Sequence, residues 1–190
     1  MHFALKTLCM LVAGIALGLL LTWIAVVHGD IPGDVKDGPW HTSTEVGSSK
    51  GGLYTRAAVA LHGLLALKKS ETLYYTTTTD SDGSPLHGAC AYHLSGHDPD
   101  ARWWSITAYG SDDYLIPNPA HRYSVSMNII HRKPDGSFEV EISPRPGADN
   151  WIPVVSGPFT LILRLYNPGE DTAADPKRAR LPALHRWSCT

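Results

Sequence analysis

The first strong pattern along the chain is an unbroken apolar run, Leu8 to Val27, with no charged position in it. It reads LCMLVAGIALGLLLTWIAVV. Its twenty residues match the length an α-helix needs to cross a hydrocarbon core of ~30 Å. Thr22 is its most polar member, and a helical Thr bonds its hydroxyl to a preceding carbonyl. Trp23 lies near the far end, where an indole suits the headgroup interface. Beyond the run, residues 28–39 are rich in Gly and Asp and read as a juxtamembrane linker. Tyr54, Ala57, Ala58, Leu61, Leu64 and Leu65 then recur at helical spacing. Lys68 and Lys69 close that segment, where positive charge suits the C-terminal dipole. The segment is too short to span a bilayer and contains His62, so it is expected to be an amphipathic helix packed on a domain.

After Lys69 the period changes to that of strands. Leu73–Thr79 is β-branched and aromatic. Asp80-Ser81-Asp82-Gly83 reads as a turn, with Leu86–Leu94 as the hairpin partner. Trp103–Tyr109 is a further strand. Tyr123–Ile130 and Ser137–Ile142 flank Lys133-Pro134-Asp135-Gly136, a second hairpin turn. In Phe159–Tyr166, alternation places Phe159, Leu161, Leu163 and Leu165 on one face. The tail after Pro168 reads as a charged surface segment. Short strands punctuated by Gly and Pro predict an all-β, antiparallel sandwich. It carries one N-terminal amphipathic helix and is preceded by a single transmembrane helix. The expected organisation is a cytoplasmic N-terminus (1–7), the membrane helix (8–27), the linker (28–39) and the sandwich (40–187).

Charge gives the membrane segment a direction. Lys6 and the amino terminus precede it. Asp30, Asp34 and Asp37 follow it against one Lys36. This asymmetry predicts a cytoplasmic N-terminus and an exported C-terminal part. A cleaved signal peptide is the rival reading, with a cleavage option after Gly29. Its apolar core of roughly 7–15 residues is shorter than this run, so an uncleaved anchor is favoured. In a two-membrane cell that places the domain in the periplasm, tethered to the inner membrane. Gly14 and Gly18 form a GxxxG pair, more simply explained by the abundance of Gly in membrane helices.

Past the anchor, 15 Lys and Arg stand against 18 Asp and Glu. That balance argues against nucleic acid as a partner. Cys9 lies in the membrane segment. An oxidising compartment permits a bond between Cys90 and Cys189. Two cysteines carry no framework signal, and the preferred reading leaves them unpaired.

The sequence carries little recognisable chemistry. There is no GxSxG, HExxH, phosphate-loop or CxxC motif. His87 and His93 share strand parity, with His97 following. Side chains two apart on a strand lie ~6–7 Å apart, so this spacing does not make one metal site. No metal or cofactor is expected. Asp80 and Asp82 lack the later acidic ligands of a calcium loop. The more unusual group is aromatic and polar together: Trp103, Trp104, Ser105, Thr107 and Tyr109, then Asn118, Arg122 and Tyr123, and later Asn150, Trp151, Arg164 and Tyr166. Ser105, Thr107 and Tyr109 share parity with Trp103. A face of this kind lines concave sites, aromatics supplying area and polar groups orientation. The competing, favoured explanation is structural. Indoles and phenols fill sandwich cores with their polar tips bonded to backbone, and an inward Arg ties strands together.

The chain resembles a bacterial family, the domain of unknown function 1214. The resemblance rests on Tyr54-Thr55-Arg56-Ala57, Ser70-Glu71, Asp80 with Asp82-Gly83, and Trp104-Ser105 with Thr107 and Tyr109. It continues through Asn118, Arg122-Tyr123, Asp135-Gly136, Asn150-Trp151-Ile152-Pro153, Phe159 and Arg164-Leu165-Tyr166-Asn167-Pro168. It covers about residues 40–187. The resemblance implies a jelly-roll-like β domain and transfers no catalytic residue. Members commonly occur with a companion, the domain of unknown function 1254. The resemblance therefore implies a version whose partner is a separate protein carrying that companion.

Three functions compete. The first is a non-catalytic envelope protein whose sandwich binds a partner domain or a small ligand. Its candidate contacts are Trp104, Ser105, Thr107, Tyr109, Asn118, Arg122, Asn150, Trp151, Arg164 and Tyr166. The second is an envelope hydrolase or lyase on a saccharide or lipid-derived substrate. There Asp112, Asp113 or Tyr109 would serve as acid or base and Arg122 would hold an anion. The third is a structural anchor module that scaffolds a complex.

Overall fold

A computed structural model describes residues 2–28, 33–48, 51–61, 67–147 and 149–189. The apolar N-terminal run is a single helix, α1 (His2–Val27), long and apolar enough to cross a membrane. None of its residues is buried. Exposure along nearly the whole of an apolar helix is what a segment shows when little protein covers it.

The rest is mostly β. Ten strands form two sheets among the described residues. They are β1 (Asp34–Asp37), β2 (Trp40–Ser43), β3 (Thr72–Thr77), β4 (Cys90–His97), β5 (Ala101–Gly110), β6 (Ser124–Ser126), β7 (Ser137–Ser143), β8 (Trp151–Pro153), β9 (Phe159–Pro168) and β10 (Ala183–Cys189). Between them lie α2 (Leu53–Leu61), α3 (Glu170–Ala174) and a 3₁₀ turn at Pro176–Arg178. One sheet runs β1-β2-β3-β9-β5-β6, the other β10-β4-β7-β8. Every pair is antiparallel except β7–β8, which is parallel.

The core lies between the two sheets. From the larger come Leu73 and Tyr75, Trp104, Ile106 and Ala108, and Leu161, Leu163 and Leu165. From the smaller come Tyr92 and Leu94, Phe138, Val140 and Ile142, and Leu184. Trp104 stacks on Phe138 with ring centroids 5.1 Å apart, joining the two layers. The expected alternation in the last long strand is borne out, since Phe159, Leu161, Leu163 and Leu165 all face inward.

Several expectations need correction. Both turns form, but neither closes a regular hairpin. At Asp80–Gly83 the chain is turned, with Asp80 N–H donating to the Ser84 carbonyl at 2.9 Å. Beyond it β3 joins β9 and β4 joins β7 and β10 in the other sheet. At Lys133–Gly136 the Lys133 N–H meets the Ser137 carbonyl at 2.7 Å, yet β6 pairs with β5 and β7 with β4. Sandwich strands change sheets at corners, and local turn chemistry is the same whether the flanking strands pair or part.

The linker reading fails from Asp34 onward. β1 and β2 form a hairpin on the sheet edge, with Asp37 opposite Trp40 and Gly38 at φ 56° supplying the turn. The charged tail is not merely a surface segment either. It ends in β10, an edge strand paired to β4. The cysteine reading is also overturned. That pairing sets Cys189 opposite Cys90, and a disulfide joins them. Only the partnership of two strands 99 residues apart brings those sulfurs together.

The helical segment is displaced from its expected face. α2 buries Thr55, Ala58 and Val59, while Tyr54 and Leu61 are exposed. His62, Leu64 and Leu65 lie outside the described residues.

The C-terminal return is tied by two core side chains. Trp40 Nε1–H donates to the Pro182 carbonyl at 2.8 Å, and the Tyr75 hydroxyl donates to the Pro176 carbonyl at 2.7 Å. Tight backbone approach also matters at Gly88, where a Cβ would collide with the Val155 carbonyl. Only a residue without a side chain fits that crossing.

Candidate functional site

The outer face of the six-stranded sheet is where aromatic and polar side chains gather. Strand parity puts Trp103, Ser105, Thr107 and Tyr109 of β5 there, opposite the inward Trp104, Ile106 and Ala108. β9 contributes Thr160, Ile162, Arg164 and Tyr166, and β3 contributes Thr72, Tyr74 and Thr76. Register brings them together. Arg164 lies opposite Tyr74 on one side and Ser105 on the other. Tyr166 lies between Thr72 and Trp103.

Arg164 is the centre of this group. Its Nη2–H donates to the Tyr109 hydroxyl at 2.8 Å. Its guanidinium carbon lies 5.3 Å from the Tyr109 ring centroid and 5.9 Å from that of Tyr74. Both rings offer their π-electrons to the cation. No carboxylate among the described residues lies within ion-pair distance of Arg164. The Tyr166 ring packs on Trp103 at 5.2 Å. Burial raises the Tyr74 phenol above its ordinary value, with Tyr166 adding to the effect and Arg164 opposing it. Tyr74 is therefore a neutral hydrogen-bonding phenol at physiological pH.

Ser105 and Thr107 are buried at 7 % exposure although they sit on the outer side of the sheet. Ile162 on the same side is also buried, and so are Ala58 and Val59 of α2. None of these three belongs to the sandwich core. The Tyr74 side chain also meets the backbone at Leu67, in the segment leading from α2 to β3. Arg164, Tyr74, Tyr109, Tyr166 and Trp103 are partly exposed on this face.

The other candidates go elsewhere. Trp104 is fully buried in the core, its Nε1–H bonded to Asp98 at 3.0 Å. Asn118 ties its own loop. Its amide donates to the Ile116 and Arg122 carbonyls, and its oxygen accepts from the Arg122 N–H. This loop is attached beside β5, since Tyr109 bridges Leu115 and Ala108 N–H meets the Tyr123 carbonyl. Asn150 fastens the other sheet, donating to the carbonyls of His131 and Glu139. Trp151 Nε1–H donates to the Ser143 carbonyl at 3.1 Å. Asp112 accepts from the Tyr114 N–H in a local turn. Sequence parity found the β5 and β9 members of the cluster but missed Tyr74, whose place depends on β3 lying beside β9.

The histidines do not converge. Among the described residues, no three metal-ligating side chains stand close enough to hold one ion. His93 instead meets Glu139 at 2.7 Å on the outer face of the smaller sheet, under the Trp187 ring at 5.0 Å. Asp80, read as a turn residue, has a second role. Its buried carboxylate accepts from the Ser84 N–H and pairs with Arg186 of β10 at 3.1 Å.

Comparison with solved structures finds the VPA0106 protein of Vibrio parahaemolyticus, with a TM-score of 0.62 and 24 % identity. The match covers 77 % of this chain but only 38 % of the Vibrio protein, and it speaks to fold alone. An uncharacterized protein from Burkholderia cenocepacia matches at a TM-score of 0.43 and 16 % identity, over 63 % of this chain and 30 % of that one. No curated protein matches the chain. Residues 71–170, just over half of the sequence, match the family model described as "Protein of unknown function (DUF1214)". That stretch runs from the start of β3 through β9 and so contains the whole Arg164 cluster. The chain belongs to the DUF1214 family.

Proposed function

We propose that this protein is a membrane-anchored binding module whose ligand face is the outer face of the six-stranded sheet. In this reading α1 spans the inner membrane with its N-terminus in the cytoplasm, and the sandwich works in the periplasm. The charge asymmetry around the apolar run supports that direction. The Cys90–Cys189 disulfide supports an oxidising compartment.

The observation that carries the ligand reading is the state of Arg164. A guanidinium half-withdrawn from water is normally matched by a carboxylate. Here phenol rings and one hydroxyl surround it, and no carboxylate among the described residues pairs with its charge. Arg pairs with carboxylates through two parallel hydrogen bonds. The neighbouring rings of Tyr74, Tyr109, Tyr166 and Trp103 offer stacking area. The ligand class is therefore a small organic acid with an apolar or aromatic body. The groups around Arg164 bind and orient, and no activated nucleophile is among them. A separate protein carrying the companion domain of unknown function 1254 is the macromolecular partner suggested by the family resemblance.

The test is thermal unfolding of the full chain in detergent with sodium benzoate, inorganic phosphate or sodium chloride. Benzoate is expected to raise the midpoint of the native protein by mass action, and not that of Arg164→Ala. Equal shifts in both proteins, or none in either, would count against the site.

A further inference from the structure

We infer that α2 is a second membrane contact, a helix whose outward apolar face lies in the headgroup region of the bilayer that α1 crosses. The inference rests on reading α1 as an anchor.

A helix advances 100° per residue. On that projection the buried residues of α2, Thr55, Ala58 and Val59, occupy one side. Leu53, Tyr54, Ala57, Ala60 and Leu61 occupy a continuous arc opposite them. Leu53 is 82 % exposed, Leu61 65 % and Tyr54 54 %. A nine-residue helix on a domain surface needs only one apolar side. This one has two, and Leu53, Tyr54 and Leu61 on the outer one are exposed.

Three observations identify what covers it. First, α2 lies close to α1, with Cα atoms of the two helices within 8 Å of each other. The exposed arc is therefore near the apolar surface of a helix none of whose described residues is buried. Second, the tether is short. Six residues lie between Val27 and Asp34, which limits the reach from the helix end to the first strand to about 25 Å. The domain must stay close to the bilayer surface. Third, the charge is complementary. Arg56 of the helix is exposed, as are Lys68 and Lys69, seven and eight positions beyond its last residue. Basic residues beside an apolar arc are what an interfacial helix presents to anionic headgroups. Tyr54 adds a phenol of the kind favoured at that depth.

The experiment places a nitroxide at Leu53→Cys or Leu61→Cys in the full chain, in a Cys9→Ala background. The protein is held in nanodiscs of phosphatidylethanolamine and phosphatidylglycerol, with no other protein present except the scaffold. Labels at Ile15→Cys and Ala183→Cys are references for the bilayer core and for water. Collision with oxygen and with a water-soluble nickel chelate reports depth. The expected result is oxygen-rich, nickel-poor labels at positions 53 and 61, about 5–10 Å below the headgroup boundary. If both match Ala183 while Ile15 reports the core, the α2 contact is wrong and the anchor stands. If Ile15 also reports water, the anchor reading fails and takes this inference with it. Labels shielded from oxygen and nickel alike would mean that protein, such as a second copy, covers the face, and would overturn the inference.

Discussion

Arg164 donates a 2.8 Å hydrogen bond to the hydroxyl of Tyr109, a residue 55 positions earlier in the chain. The bond crosses from β9 to β5 on the outer side of the sheet and holds the guanidinium over the Tyr109 ring. Tyr109→Phe removes the hydrogen bond but keeps the ring. It should cost about 1 kcal/mol of stability and loosen benzoate binding without abolishing it. Arg164→Lys keeps charge but loses the planar fork, and should bind benzoate more weakly than Tyr109→Phe. Thermal unfolding with and without benzoate reads both effects. Equal binding by all three proteins would refute the role of Arg164.

The Cys90–Cys189 disulfide closes a loop of 99 residues onto the last strand. In the chain-entropy model a loop of that size contributes about 4–5 kcal/mol, mainly by restricting the unfolded chain. The double variant Cys90→Ser, Cys189→Ser should unfold at a markedly lower urea concentration. Amide exchange in β10 should speed up more than in β9, which lies at the centre of the other sheet.

The Tyr75 hydroxyl is buried and bonded to the Pro176 carbonyl. Burial raises this phenol far above the ordinary tyrosine value, with Asp37 and Asp175 adding to the effect. Tyr75→Phe removes this bond while the Pro176 carbonyl keeps the Ala179 N–H at 3.3 Å, and should cost about 1 kcal/mol. The midpoint of urea unfolding measures it. An unchanged midpoint would show that water replaces the hydroxyl.

Glu139 supplies the pH dependence. The Lys133 hydrogen bond holds its carboxyl below the ordinary value of 4.5; burial opposes it, and the charges of Lys133 and His93 add smaller lowering effects. A depressed folded value means the pairing stabilises the protein above about pH 4.5 and is lost as pH falls through the lower folded value. The carboxylate is 40 % exposed, so its contribution is screened and stays under about 1 kcal/mol. Glu139→Gln should therefore lower stability slightly at neutral pH, and the gap to the native protein should narrow as the pH falls below about 4.5. A gap that stays constant as the pH falls would assign the effect to packing.

Much of the fold is legible in the sequence because it depends on local periodicity. The apolar run from Leu8 to Val27 announces α1 by length and absence of charge. Alternation in β5 and β9 separates inward Trp104, Leu161, Leu163 and Leu165 from outward Tyr109, Arg164 and Tyr166, whichever strands lie alongside. Turn chemistry at Asp80–Gly83 and Lys133–Gly136 is equally local, and both turns form. What the tertiary structure decides is partnership. β3 and β4 leave the Asp80 turn for different sheets, and so do β6 and β7 beyond Lys133. Tyr74 meets Arg164 because β3 lies beside β9, and Cys189 meets Cys90 because β10 pairs with β4. Those contacts join positions about a hundred residues apart, and no spacing within either segment encodes them. Periodicity assigns each side chain to a face. Only the order of strands in the two sheets determines which faces and which neighbours make a site.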